Sequence, residues 1–127
     1  MRELTDHKFP GKTIDQFVTV RAEDVPDASG ASHRYGISVH NVVPQGESNA
    51  VYGLRFQQGP LNEVGANGIT NEALLAIVLD RMRGFQNGPF NNRENAIVIT
   101  KLEEAMHWLH HRTRDRLARG VEGVNAQ

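Results

Sequence analysis

The chain has 127 residues, a formal net charge of -1 and no cysteine. That length allows one domain, or two at most. The near-neutral charge excludes a global field drawing in nucleic acid, and the missing thiols exclude disulfides and thiolate chemistry. The first residues, MRELTDHKFPGK, contain no apolar run that would read as a signal peptide, and no stretch approaches a membrane span. A reducing cytosol fits the absence of cysteine.

In chain order, Met1 to Lys12 is polar, carries Pro10-Gly11 and reads as an irregular arm. Phe17 to Arg21 is rich in β-branched residues and reads as a strand. Asp24 to Ala31 (DVPDASGA) is a loop by composition. Tyr35 to Val43 reads as a second strand, ended by Pro44-Gln45-Gly46, and Ala50 to Phe56 as a third. Short strands joined by polar turns predict an antiparallel meander with one face needing cover. Leu61 to Gly68 is a glycine-containing connection. Thr70 or Asn71 then caps a helix whose apolar stripe is Leu74, Leu75, Ile77, Val78 and Met82, running to about Phe85.

A second helix is predicted from Asn91 to Arg119, stopped by Gly120. Ile99, Leu102, Met106, Leu109 and Thr113 recur in steps of three and four, a narrow coiled-coil-like seam. This helix is the longer of the two. Trp108 and Leu109, in its C-terminal half, are therefore candidates for a subunit interface, with the β-layer as the alternative cover. The expected class is α+β. A small antiparallel β-meander over residues 1–68 precedes a two-helix antiparallel hairpin over 69–127 that packs in a homodimer.

The stretch between the helices, GFQNGPFNNREN from Gly84 to Asn95, concentrates the candidate chemistry. Gly88-Pro89 is a turn signal. Asn91 can cap the second helix, with Glu94 three places on as in a capping box. The helix start presents backbone N–H groups and a positive dipole end, which suit a phosphate. Phe85 and Phe90 flank the turn. An exposed ring could stack on a base; the plainer alternative puts both rings in the core. The segment FQQGPLN at Phe56–Asn62 echoes FQNGPFN at Phe85–Asn91, and reads as reused turn chemistry, not a structural repeat.

Other candidates are weaker. Glu104 and His107 have the Glu-x-x-His spacing of carboxylate-bridged metal bundles, and His107 and His111 are one turn apart. Such a site needs further ligands, and the first helix offers Glu72 and Asp80 alone. A solvated polar face is the better reading, so no metal or cofactor is assigned. No serine sits in a nucleophile motif, no Walker or dinucleotide fingerprint occurs, and no residue argues for catalysis. Arg112, Arg114, Arg116 and Arg119 crowd the end of the second helix. They complement its negative end, and Arg112 and Arg116, one turn apart, could also fork onto phosphates. Asn95 and Arg112 are separated by about 26 Å along the helix. A small cyclic nucleotide cannot bridge that distance on one chain. A two-fold dimer with antiparallel long helices could bring the two ends together and create two equivalent sites.

GFQNGPFNNREN followed by AIVITKLEEAMHWLHHRTRDRLARGVEG resembles the helical-hairpin domain of phage anti-defence sponge proteins. Two groups share that hairpin: the first-described Thoeris anti-defence type, which sequesters cyclic ADP-ribose isomers, and the anti-CBASS sponges, which sequester cyclic di- and trinucleotides. The resemblance covers Gly59 to Gly123. The preceding VYGLRFQQGPLNEVGANGITNE points to the Thoeris type, while the first thirty or so residues match neither. The resemblance implies a non-enzymatic sponge in the cytoplasm of an infected bacterium, with no cofactor, no membrane and no DNA or RNA polymer as partner. It implies Phe85 as the base-stacking ring, Asn95 as a ligand contact, Arg112 and Arg116 as a phosphate clamp, and Arg55 as a further basic contact. It also implies a homodimer, with hexamers in some members. Asn91-Asn92 departs from the Ala-Cys of many relatives, which bears on ligand preference. The alternatives are a cyclic di- or trinucleotide sponge, an enzyme degrading the signal, and a structural dimerisation module.

Overall fold

Alternating apolar and polar residues build the sheet of the first half of the chain. The computed structural model describes residues 1–40 and 50–120, and the chain divides into two units, Met1–Gln58 and Gly59–Gln127. In the first, β1 (Arg2–Leu4), β2 (Val18–Ala22), β3 (Arg34–Val39) and β4 (Ala50–Arg55) form an antiparallel sheet in the order β1-β2-β3-β4. The register pairs Val20 with Ile37, Ala22 with Tyr35, and those in turn with Tyr52 and Leu54. With Leu4, Val18 and Val39 they make one apolar face. Thr19, Arg21, Arg34, Ser38 and Arg55 share the other.

The sheet has one strand more than expected. Arg2–Leu4, predicted as an irregular arm, pairs with Val20–Ala22, and Glu3 lies opposite Arg21. A three-residue edge strand with two charged residues gives almost no periodic signal. His7 ties the arm down by donating from Nε2 to the Val18 carbonyl at 2.8 Å. Phe17 falls outside the strand, in a turn of 3-10 helix, Ile14–Phe17. The predicted strand end at Val43 and the Pro44-Gln45-Gly46 turn lie outside the described residues.

The loop after β2 is held by two aspartates. The Asp24 carboxylate accepts from the N–H groups of His33 and Arg34. Asp27 accepts from the Ser29 hydroxyl and N–H, from His33 Nε2 at 2.8 Å and from Gln58 Nε2 at 3.2 Å.

The second unit is a helical hairpin. A short helix, α1 (Leu61–Val64), occupies the predicted connection; it is only 4 residues long, below what periodicity can reveal. Gly59 precedes it at φ 92°, whereas Gly88 in the echoing segment has no positive φ, so the two FQxGP copies fold differently. Next come α2 (Asn71–Gln86) and α3 (Arg93–Ala118). The Thr70 hydroxyl caps α2 by accepting from Ala73 N–H at 3.1 Å.

The seam is regular on both helices. On α3, Asn95, Ile99, Leu102, Met106, Leu109, Thr113 and Arg116 are half-buried or buried, and every other residue is exposed. The matching set on α2 is Glu72, Leu75, Leu79, Met82 and Gln86, with Leu74 half-buried beside it. Steps of three and four on both helices define knobs-into-holes packing. Ile77 (65% exposed) and Val78 (42%), predicted in the stripe, lie outside it, and Leu79 takes the buried position. The run LLAIVL is apolar at every step, so its period is ambiguous until packing selects one face.

The two flanks of the seam differ in chemistry. Arg83 and Glu103 form an ion pair at 2.9 Å across the hairpin. They mark one flank, with Ala76, Ala96, His110 and Leu117 at equivalent positions. In an antiparallel pair the other flank is then shared by Val78 and Phe85 of α2 with Val98, Ala105 and Arg112 of α3. All five are exposed.

Candidate functional site

The turn between α2 and α3 is built from asparagine and glutamine side chains bonded to backbone. Asn92, not Asn91, caps α3: its Oδ1 accepts from Asn95 N–H at 2.7 Å. The predicted capping box of Asn91 with Glu94 is therefore displaced by one residue, and an asparagine stands at its third helical position. Asn91 instead donates to the Gly88 carbonyl at 3.0 Å, bracing the turn. The Asn92 and Asn95 side-chain amides both donate to the Phe90 carbonyl, at 3.2 and 3.3 Å. Gln86 closes the arrangement. Its Oε1 accepts from Asn92 N–H at 3.2 Å, and its Nε2 donates to the Asn92 carbonyl at 3.1 Å. Sequence reasoning missed Gln86; its signal was its place in register with the seam, four residues after Met82.

This lacing turns the two phenylalanines outward. Phe90 is 69% exposed and Phe85 36% exposed, so the reading that buries both in the core is overturned. Satisfying the chain reversal with side-chain amides leaves no seam position for either ring. Phe85, Phe90, Arg81, Gly84, Gly88 and Pro89 line a hollow of about 360 Å³. The Arg81 guanidinium lies over the Phe85 ring, 4.8 Å from its centroid, in cation–π geometry. Arg81 was not singled out from the sequence; its place one turn before Phe85 was the available clue.

The hollow thus offers an aromatic ring with an adjacent permanent cation. That combination suits a flat ring that bears an anionic group.

The remaining predicted site residues are dispersed. Asn95 is half-buried in the seam, with its amide turned to the Phe90 carbonyl. Arg112 is exposed near the far end of α3, while Arg116, one turn on, is buried. Arg55 belongs to the sheet unit, exposed on β4 with Arg34 as its cross-strand neighbour. Trp108 is 65% exposed and packs edge-on against His107 and His111 at 5.6 and 5.5 Å. Leu109, paired with it as an interface candidate, is half-buried in the intrachain seam.

A capped helical hairpin after a β-meander is the architecture, and its sequence matches a known family there. Residues 53–114 match the family described as Acb2/Tad1, hairpin domain. Over 72 residues the chain is 57% identical to Thoeris anti-defense 1 of Bacillus phage SBSphiJ7, an alignment taking in 57% of this chain and 51% of that protein. The chain is thus similar to Thoeris anti-defense 1 over that alignment and to the Acb2/Tad1 hairpin domain over residues 53–114, and it spans about half the length of that relative.

Proposed function

We propose that this protein counters Thoeris defence as a non-enzymatic sponge, binding a cyclic ADP-ribose-type signalling nucleotide and withholding it from its effector. The observation that carries this reading is the outward-facing hollow of Phe85 and Arg81 within residues 53–114, the stretch that matches the Acb2/Tad1 hairpin domain. Phe85 stacks on the base. The turn residues Asn91 and Asn95 hold the rim, and Asn95 contacts the ligand. Arg112 makes the exposed contact of the phosphate clamp, and Arg116, one turn on and buried in the seam of the isolated chain, stands behind it.

Phe85 and Arg112 share one flank of the hairpin at opposite ends of it. A two-fold dimer formed through that flank would set each Phe85 beside the partner's Arg112, giving two sites. Val78, Val98 and Ala105 between them supply the apolar contact.

The test is uptake and return. Incubate the protein with a panel of cyclic ADP-ribose isomers and cyclic di- and trinucleotides, measure complexes by native mass spectrometry, then denature and recover the ligand. Intact cyclic ADP-ribose isomer in stoichiometric amount is the expected result. Recovery of a cleaved product would identify an enzyme. Uptake of cyclic oligonucleotides alone would shift the reading to the other sponge type, and no uptake at all would leave a structural module.

A further inference from the structure

We infer that Gly84 is a specificity-determining position, whose missing side chain keeps the floor of the Phe85 hollow open to a flat heteroaromatic ring. This rests on the hollow being the nucleotide site. A glycine inside a helix loses backbone entropy on folding and is unfavourable relative to alanine. Gly84 is such a residue, two places from the end of α2. Conformation does not require it: the positive-φ glycines include Gly59 and Gly65 but not Gly84. Packing does not require it either. A Cβ at Gly84 would meet nothing within 4 Å, whereas one at Gly59 would press on Val64 at 3.0 Å and one at Gly88 would approach the Gly84 carbonyl at 3.5 Å.

Gly84 lines the hollow together with Phe85 and Phe90, and a Cβ there would stand in open space, so a larger side chain would compete with a ligand for that volume. The glycine therefore preserves empty volume next to an aromatic ring at the expense of helix stability. Bare backbone beside a ring admits a planar group lying flat. Arg81 closes the same space with a cation, so the matching ligand is a heteroaromatic base bearing phosphate.

The experiment compares wild type, Gly84→Ala, Gly84→Leu and Phe85→Ala as full chains, by calorimetric titration with the cyclic ADP-ribose isomer that wild type takes up and by thermal unfolding. Alanine should raise the melting temperature by a few degrees, being the better helix former. One added methyl in a pocket is worth roughly ten-fold or more in discrimination, so the same variant should bind at least about ten-fold more weakly. Leucine should abolish measurable binding with helicity retained. A more stable but weaker-binding alanine variant is an outcome that a purely structural glycine would not produce. If both glycine variants bind within about two-fold of wild type while Phe85→Ala is impaired, Gly84 has no such role. If wild type takes up no isomer, or Phe85→Ala binds normally, the site reading falls and this inference with it.

Discussion

Arg112 and Arg116 stand one turn apart on α3, yet Arg112 is exposed and Arg116 retains 6% of its accessible surface. Two residues drawn from one sequence pattern therefore do different work in the isolated chain. Arg112 lies on the flank shared with Phe85, whereas Arg116 continues the seam. Arg112→Ala should weaken nucleotide binding by about 1–3 kcal/mol, with a steeper loss at low salt, and leave the melting temperature unchanged. Arg116→Ala should lower stability by on the order of 2 kcal/mol, because it removes a buried, engaged cation. Titration and thermal unfolding of both variants check the division. Equal loss of stability in the two would contradict it.

Assembly should depend on one flank of the hairpin and not the other. Val98, 40% exposed, is on the Phe85 flank, and Ala96 is on the flank of the Arg83–Glu103 pair. Wild type is expected to sediment as a dimer or larger. Val98→Asp should give a helical monomer, since an unpaired charge resists burial. Ala96→Asp should leave the mass unchanged. A wild-type monomer at micromolar concentration would end the dimer reading.

The lacing of the turn is testable separately. Gln86→Ala removes both bonds to Asn92, and Asn92→Ala removes the α3 cap. Each should cost about 1 kcal/mol of stability. Hydrogen exchange should show faster exchange at Asn92 and Asn95 N–H first, before the seam amides. Uniform acceleration along α2 and α3 would show instead that the turn opens only with the whole hairpin.

Acid should act on the sheet unit through Asp27. Hydrogen bonds from the Ser29 hydroxyl and N–H, followed by those of Gln58 and His33, hold its carboxyl well below the usual range against an opposing desolvation. A depressed folded pKa gives stability that is present above the unfolded value, near 3.9, and lost as pH falls from there through the folded value. Asp27→Asn should therefore be less stable than wild type at pH 7, and the gap should narrow below about pH 4. Denaturant unfolding at the two pH values measures it. A gap independent of pH would assign the loop's stability elsewhere.

The hairpin was legible because its seam repeats. Ile99, Leu102, Met106, Leu109 and Thr113 all occupy the predicted face, and Gly120 at φ 71° follows the last helical turn. Short elements were not legible: Arg2–Leu4 and Leu61–Val64 are held by partners, not by a period of their own. The α3 cap was missed by one residue because Asn91 and Asn92 have the same side chain, and hydrogen bonding to Gly88 assigns one to the turn and the other to the helix. The hollow was only half legible. Phe85 could be named from the sequence, but its exposure depends on Gln86 turning inward, and the burial of Arg116, which continues the seam three places after Thr113, was masked by its charge.

Placing Phe85 and Arg112 at opposite ends of one flank has a consequence for dose. In the proposed dimer each site would be divided between two chains, so capacity at low abundance would grow with the square of protein concentration. Ligand that occupies the divided site must, by linkage, also hold the chains together. A freshly synthesised pool too dilute to associate would be recruited by the nucleotide it removes, and the apparent affinity measured at nanomolar protein should be weaker than at micromolar protein. A sponge built this way would commit its chains to capture only as the signal accumulates.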